Sequence, residues 1–189
     1  MTKYKIGLDA KTAETAKPVA KEILENTQKA MGMIPNMYLN MANSQGMLST
    51  YVHGYKFFRE ESGFTSVEQE VVFLAVSKFN KCEYCVAAHS FVGDKMTNVP
   101  TEVTDAIREG RKIADSKLET LREFTTVMVD KRGWPSSSDV DKFLSAGFKE
   151  EQILEIVLAI AVKTISNYSN HIFHTKVDDA FANRIWKAE

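Results

Sequence analysis

Two cysteines placed close together are the residues of this sequence best suited to chemistry. The chain contains only two cysteines, in the segment Cys82-Glu83-Tyr84-Cys85. A secreted disulfide scaffold uses more cysteines at wider spacing, whereas an isolated Cys-x-x-Cys pair in a reducing compartment is more often redox-active or metal-binding. The first hypothesis is therefore a thiol oxidoreductase whose two thiols cycle to a disulfide.

A histidine and a carboxylate are spaced so that they could act on these thiols. If Cys82 begins a helix, Cys85 and His89 follow at i+3 and i+7 on the same face, and the positive end of the helix lowers the thiol pKa. Glu70 lies ten residues before a turn near Asn80, and His89 lies nine residues after it. Two antiparallel helices would bring these side chains together, with Glu70 orienting His89 as a base for Cys85.

Helices must position these groups. The sequence contains residues that begin and end helices, but no alternation of apolar and polar residues joined by hairpin turns, which would predict strands. The segment Thr65-x-x-Glu68 predicts a capping box at the start of the helix that carries Glu70, with Glu68 facing solvent. The dithiol helix is predicted from about Cys82 to Met96. The last two helices are predicted over about 149–165 and 167–186. The predicted fold class is all-α.

A faint repeat suggests that one helix pair is duplicated. Residues 73–77 (FLAVS) resemble residues 157–161 (VLAIA) at an offset of 157 − 73 = 84 residues, which also aligns Tyr84 with Tyr168. Cys82 and Cys85 then align with Ser166 and Ser169, so only the first copy keeps the thiols. The alternative is a chance similarity between two buried helices.

Composition limits the classes of function. The 189 residues carry a formal net charge of −1, which argues against a nucleic-acid footprint and against an anionic membrane as the main partner. No apolar run reaches the roughly 18 residues of a membrane span, and the N-terminus lacks the apolar core of a signal peptide. We therefore expect a cytoplasmic protein, with residues 1–189 forming a single domain whose core covers about 30–182.

Two other functions remain open for the same residues. Cys82, Cys85 and His89 could bind zinc with a fourth group, the nearest additional pair being His171 and His174. A non-catalytic redox sensor or interaction protein is the second alternative. His171 and His174 could also line a pocket or lie at the surface. His53 and the methionines and aromatic residues of 31–58 are expected in the core or at a subunit interface.

At these residues the sequence resembles the AhpD-like alkylhydroperoxidases of the carboxymuconolactone decarboxylase superfamily. The pattern is Glu70, eleven residues, Cys82-x-x-Cys85, three residues and His89. The flanking segments resemble the peroxidase-related branch of that family, and the resemblance extends over about residues 30–182. These flanking segments are Ile34-Pro35-Asn36, Asn167-Tyr168-Ser169-Asn170-His171 and Asp178.

The resemblance implies an all-helical subunit that forms homotrimers or homohexamers and reduces hydroperoxides as an antioxidant, without a metal or organic cofactor. It implies that the Cys85 thiolate attacks the peroxide, that the more exposed Cys82 resolves the sulfenic acid to a disulfide, and that a Glu70–His89 relay moves the proton. An unknown thiol or lipoyl-type reductant would restore the dithiol.

Tyr84 replaces a histidine of the best-studied members; it cannot titrate near neutral pH but can donate a hydrogen bond. The decarboxylase members lack the dithiol.

Overall fold

A computed structural model describes residues 3–188, which form nine α-helices and one 3₁₀ helix and contain no strand, so the predicted all-α class is confirmed. No helix in this part of the chain combines the length and the apolar character needed to cross a membrane. The helices are α1 (Pro18–Met31), α2 (Asn36–Met41), α3 (Gln45–Glu61), α4 (Ser66–Phe79), α5 (Glu83–Lys95), α6 (Thr101–Glu109), α7 (Ser116–Asp130), α8 (Ser137–Ser145) and α9 (Glu150–Phe173), followed by the 3₁₀ helix Asp179–Arg184.

The predicted capping box at the start of α4 is present. The Thr65 side chain accepts a hydrogen bond from the backbone N–H of Glu68, and the Glu68 carboxylate accepts one from the backbone N–H of Thr65. The prediction that Glu68 faces solvent is wrong. Its side chain is buried because a second carboxylate oxygen pairs with Lys117 Nζ of α7 at 2.7 Å.

The predicted helix break near residue 166 is also wrong. Helix α9 continues through Ser166 and Asn167 to Phe173 and ends at His174, which has a left-handed φ of 50°. Residues 150–173 contain no glycine or proline, and both Ser166 and Asn167 are buried against other helices, so packing overrides their low helix propensity. The suggested second copy of a helix pair is therefore one continuous helix.

Helix α4 lies at the centre of the molecule and packs against α5, α6, α7 and α9. All of its residues from Glu68 to Ser77 are buried. Helices α4 and α5 form the predicted hairpin: Asn80 caps the end of α4, Lys81 has a left-handed φ of 56° and Cys82 is the N-cap of α5. These helices and α9 enclose the dithiol.

Helix α3 packs closely on α9, because Gly54 lies at their crossing. A Cβ atom on Gly54 would lie 2.9 Å from Val162 Cγ2 and 3.5 Å from Leu158 Cδ1, so a larger residue would push the helices apart. This close packing of α3 on α9 brings Arg59 of α3 and Lys163 of α9 to the same part of the core.

Candidate active site

Both thiols lie at the start of α5 and are buried. Cys82 is the N-cap residue and Cys85 lies in the first turn; they are free cysteines with 0% and 1% of their surfaces exposed. Surface area does not show the expected greater exposure of Cys82, because neither thiol is exposed, although Cys82 is the one nearer the cavity described below. The side chain of Asn170 on α9 covers both sulfurs, with its Nδ2 atom 3.9 Å from Cys82 Sγ and 3.3 Å from Cys85 Sγ.

The two thiols differ in acidity because their surroundings differ. Burial opposes ionisation of Cys85, but the hydrogen bond from the Cys82 thiol and the positive charge of Lys163 hold the pKa of Cys85 well below its ordinary value. Cys85 Sγ also lies 3.7 Å from Ser166 Oγ. The pKa of Cys82 is raised, because its thiol is hydrogen-bonded to Cys85 and is buried. Cys85 is thus the thiol that ionises first.

The predicted contact between Glu70 and His89 is present. Glu70 Oε2 lies 2.8 Å from His89 Nδ1, and Glu70 Oε1 accepts a hydrogen bond of 2.5 Å from Arg59 Nη2. Glu70 is fully buried. Burial favours the neutral acid, but His89 and Arg59 outweigh it and lower the pKa of Glu70, so the group is a carboxylate at neutral pH.

The other nitrogen of His89 meets a lysine and not the predicted thiol. Lys163 Nζ, buried on α9, lies 2.8 Å from His89 Nε2. Burial and the charge of Lys163 lower the pKa of His89, so the ring is neutral, with Nδ1–H donating to Glu70 and Nε2 accepting from Lys163. No hydrogen bond of the described residues joins His89 directly to Cys85.

Lys163, Ser166 and Asn170 are site residues that the sequence interpretation missed. Their spacing of three and four residues places them on one face of α9, opposite the thiols. One signal was available in the sequence: Lys163 is a lone cation inside the apolar stretch 156–165 (IVLAIAVKTI). A charged residue in such a stretch needs a partner in the core.

Tyr84, inside the dithiol motif, has a structural partner. Its hydroxyl donates a hydrogen bond of 2.5 Å to Asp178 Oδ2, which confirms that it acts as a donor. Asp178 Oδ1 accepts from the backbone N–H of Asn36 at 3.0 Å. Burial and the bond to Asp178 raise the pKa of Tyr84, so it remains a neutral phenol. Tyr84 therefore ties the dithiol segment to the C-terminal segment.

An open cavity of about 940 Å³ reaches the dithiol from the surface. Of the two described cysteines, Cys82 alone lines it, so Cys85 lies behind Cys82. His171 and His174 line the same cavity, which is one of the two roles considered for them. His53, in contrast, is exposed and contacts Phe57 with a centroid distance of 4.8 Å and the rings tilted by 50°, so it is not a core residue of the subunit.

The geometry does not favour the zinc alternative. Within residues 3–188, no group of three or more histidine, cysteine, aspartate or glutamate side chains is arranged to hold a metal ion. Both ring nitrogens of His89 already have partners, namely Glu70 and Lys163. Cys82 and Cys85 therefore lack the third ligand that this alternative assigned to them.

Solved structures with the same architecture identify the fold. A protein from Ralstonia eutropha JMP134, described as an alkylhydroperoxidase AhpD core and an uncharacterized peroxidase-related protein, superposes with a TM-score of 0.82 at 18% identity, covering 95% of this chain and 97% of that chain. An uncharacterized peroxidase-related protein from Silicibacter sp. TM1040 gives a TM-score of 0.77 at 21% identity, covering 97% and 98% of the two chains.

A third similar structure has a different named activity. It is a cysteine-to-alanine variant of the debrominase Bmp8 in complex with 2,3,4-tribromopyrrole, with a TM-score of 0.77 at 13% identity and 97% coverage of each chain. No family model and no curated protein matches the sequence. The chain therefore has the AhpD-like fold that its Glu70, Cys82, Cys85 and His89 pattern predicts.

Proposed function

We propose that this protein is a peroxidase-like thiol oxidoreductase that reduces hydroperoxides through a Cys82–Cys85 dithiol cycle. The observation that carries the proposal is the asymmetry of the two thiols. The pKa of Cys85 is held low by its partners and the pKa of Cys82 is raised, so the pair contains a nucleophile and a protonated thiol beside it. The fold shared with peroxidase-related proteins supports this activity.

The cycle has two chemical steps. In the first, the Cys85 thiolate attacks the terminal oxygen of ROOH; the O–O bond breaks, Cys85 becomes a sulfenic acid, and the alkoxide takes a proton to leave as ROH. In the second, the Cys82 thiol attacks the sulfenic acid, so that a disulfide forms and water leaves. A thiol or lipoyl-type reductant then returns two electrons and two protons to restore the dithiol.

The charges around the cavity favour substrates and reductants that carry a carboxylate. Among the described residues of its lining, Lys3, Lys176 and Lys187 are cations, and Glu83 is a carboxylate that pairs with Lys187 at 2.8 Å. A positively charged concave surface raises the local concentration of anions. Dihydrolipoate combines a dithiol with a carboxylate and is the reductant that this lining favours.

The test is hydroperoxide consumption with a panel of reductants. We expect many turnovers per subunit with tert-butyl hydroperoxide and dihydrolipoate, and fewer with the uncharged dithiothreitol. Oxidation of the dithiol without turnover by any reductant would support a redox sensor instead. Bromide release from 2,3,4-tribromopyrrole is measured in parallel, because a protein of the same fold binds this compound.

We also propose that the subunits assemble through α9. The region 31–58 was the predicted interface, but several of its large apolar side chains are buried in the subunit's own core, namely Met37, Met41, Leu48, Tyr51 and Phe58. Helix α9 instead exposes an apolar stripe on the side facing away from the dithiol. Leu154 (70% exposed), Val157 (48%), Tyr168 (56%) and Ile172 (42%) are its large members. A stripe of this length is typical of a subunit contact.

Light scattering at micromolar concentration is expected to show a homotrimer or homohexamer. The double variant Leu154→Lys, Val157→Lys places two charges in the stripe and should yield monomers. Met96→Lys is the matched control, since Met96 is also exposed but lies at the end of α5. A monomeric parent, or a double variant with the parent's mass, would contradict assembly through this face.

A further inference from the structure

Lys163 carries a buried charge whose partner is not a carboxylate. Its side chain is fully buried, with Nζ 2.8 Å from the neutral His89 Nε2 and 5.4 Å from the centre of the Phe73 ring. None of the ion pairs formed among residues 3–188 includes Lys163. Because an isolated charge in the core is costly, another group near it must carry a compensating negative charge.

The charged and titratable groups around Lys163 leave one candidate. Cys82, Cys85 and His89 interact electrostatically with Lys163. The groups next to these are Glu70, which contacts His89, Arg59, which pairs with Glu70, and the tyrosines Tyr51 and Tyr55, which neighbour Cys85 and Glu70. Glu70 is matched by Arg59 at 2.5 Å. The two tyrosines are neutral, because burial raises the pKa of each, and the pKa of Cys82 is raised as well. Cys85 is the remaining group that can be an anion.

We infer that the Lys163 ammonium and the Cys85 thiolate are counter-ions in the reduced protein, and that Lys163 gives up its proton when the dithiol is oxidised. Oxidation consumes the thiolate and leaves Lys163 as an unpaired buried cation. Losing its proton removes that cost. Lys163 is thus a positioning residue that makes Cys85 reactive and stores one proton for the reaction.

The proton balance of the cycle follows from this inference. Cys85–S⁻, Lys163–NH₃⁺ and ROOH give Cys85–SOH, Lys163–NH₂ and ROH; Cys82–SH then closes the disulfide and releases water. No proton is taken from solvent. If Lys163 kept its proton, each disulfide formed from the thiolate would take up one proton from solvent. The use of a hydroperoxide as the oxidant in this balance rests on the proposed function. The ion pair between Lys163 and Cys85 does not.

The first experiment measures the thiolate by its ultraviolet absorbance and by the rate of iodoacetamide labelling against pH. Lys163→Met removes the charge, and Lys163→Gln also removes the charge but keeps a donor for His89. We expect the thiolate absorbance and the labelling rate of both variants to rise at a pH at least about one unit higher than in the parent, because the thiolate has lost its counter-ion. Lys56→Met, on the exposed face of α3, is the control and should match the parent. A Lys163→Gln profile that overlaps the parent's would overturn the counter-ion role.

The second experiment counts protons in the unaltered protein, so it does not depend on the folding of a variant. The reduced protein is oxidised in weakly buffered solution containing a pH indicator, at a pH where its absorbance shows the Cys85 thiolate. No net proton uptake per disulfide is the expected result; uptake of one proton, or absence of the thiolate, would overturn the inference. Diamide, which takes two electrons and two protons from a dithiol, gives the same count as tert-butyl hydroperoxide. A protein that reacts with diamide but not with the hydroperoxide would contradict the proposed function alone.

Discussion

Cys85→Ser is expected to reduce hydroperoxide turnover to the rate of the uncatalysed reaction. A serine hydroxyl does not ionise near neutral pH and is a far weaker nucleophile than a thiolate. Cys82 is a poor replacement: the variant loses the contact with the Cys85 thiol that raises the pKa of Cys82, but burial still raises it. The measurement is peroxide consumption with excess dihydrolipoate, beside circular dichroism to confirm that the variant is folded.

The matching variant, Cys82→Ser, should react once and stop. Its serine hydroxyl can still donate a hydrogen bond to Cys85, so the low pKa of Cys85 is largely retained. One equivalent of peroxide should therefore convert Cys85 to a sulfenic acid that has no resolving thiol, detectable by mass spectrometry as a dimedone adduct. A stable sulfenic acid in Cys85→Ser, and none in Cys82→Ser, would reverse the roles assigned to the two cysteines.

Glu70→Gln is expected to destabilise the fold by about 3 kcal/mol, at the low end of the cost of breaking a buried ion pair. The change leaves Arg59 as a part-buried cation without its carboxylate, while glutamine keeps a hydrogen bond to His89. Urea unfolding, followed by helical circular dichroism, gives the free energy of unfolding. The double variant Glu70→Gln, Arg59→Met should recover part of the loss, because it removes the unmatched charge as well.

The pH dependence of this effect has a definite sign. The pKa of Glu70 is lower in the folded protein than in the unfolded chain, so the carboxylate adds stability above its unfolded pKa and loses that contribution as pH falls towards its folded pKa. Glu70→Gln should therefore flatten the acid side of the stability curve. Glu68→Gln is the control: glutamine can keep the capping box, so the change removes only the pair with the half-exposed Lys117, for an expected loss of about 1 kcal/mol or less. Equal losses for the two variants would mean that Glu70 is no more than a packing residue.

The hairpin that carries the motif could be predicted because its geometry is local. A capping box at Thr65 fixes the start of α4, and the turn at Asn80 fixes the register of α4 against α5. Helical rise then places Glu70 beside His89, as the structure has them at 2.8 Å. The distance along the chain between these two residues is short, so few alternative arrangements compete.

The remainder of the site could not be predicted because it depends on how α9 packs. Ser166 reaches Cys85 across 81 positions of sequence, and Asn170 reaches it across 85. Serine and asparagine have low helix propensity, but the burial of Ser166 and Asn167 against other helices keeps α9 continuous where a break was predicted. The burial of Cys82 and the position of Lys163 beside His89 come from the same long-range packing.

The distance in sequence between the thiols and α9 also determines when the dithiol becomes protected during synthesis. The ribosome adds about 5–20 residues per second, so Asn170, 85 residues after Cys85, follows it by about 4–17 s. Asp178, which accepts a hydrogen bond from Tyr84, follows Asn170 by 178 − 170 = 8 residues. Until α9 docks, the nascent chain carries two uncovered thiols without the charge of Lys163 beside them, so they behave as ordinary, weakly acidic cysteines. The low pKa of Cys85 therefore arises only after α9 has been synthesised and has packed against α5.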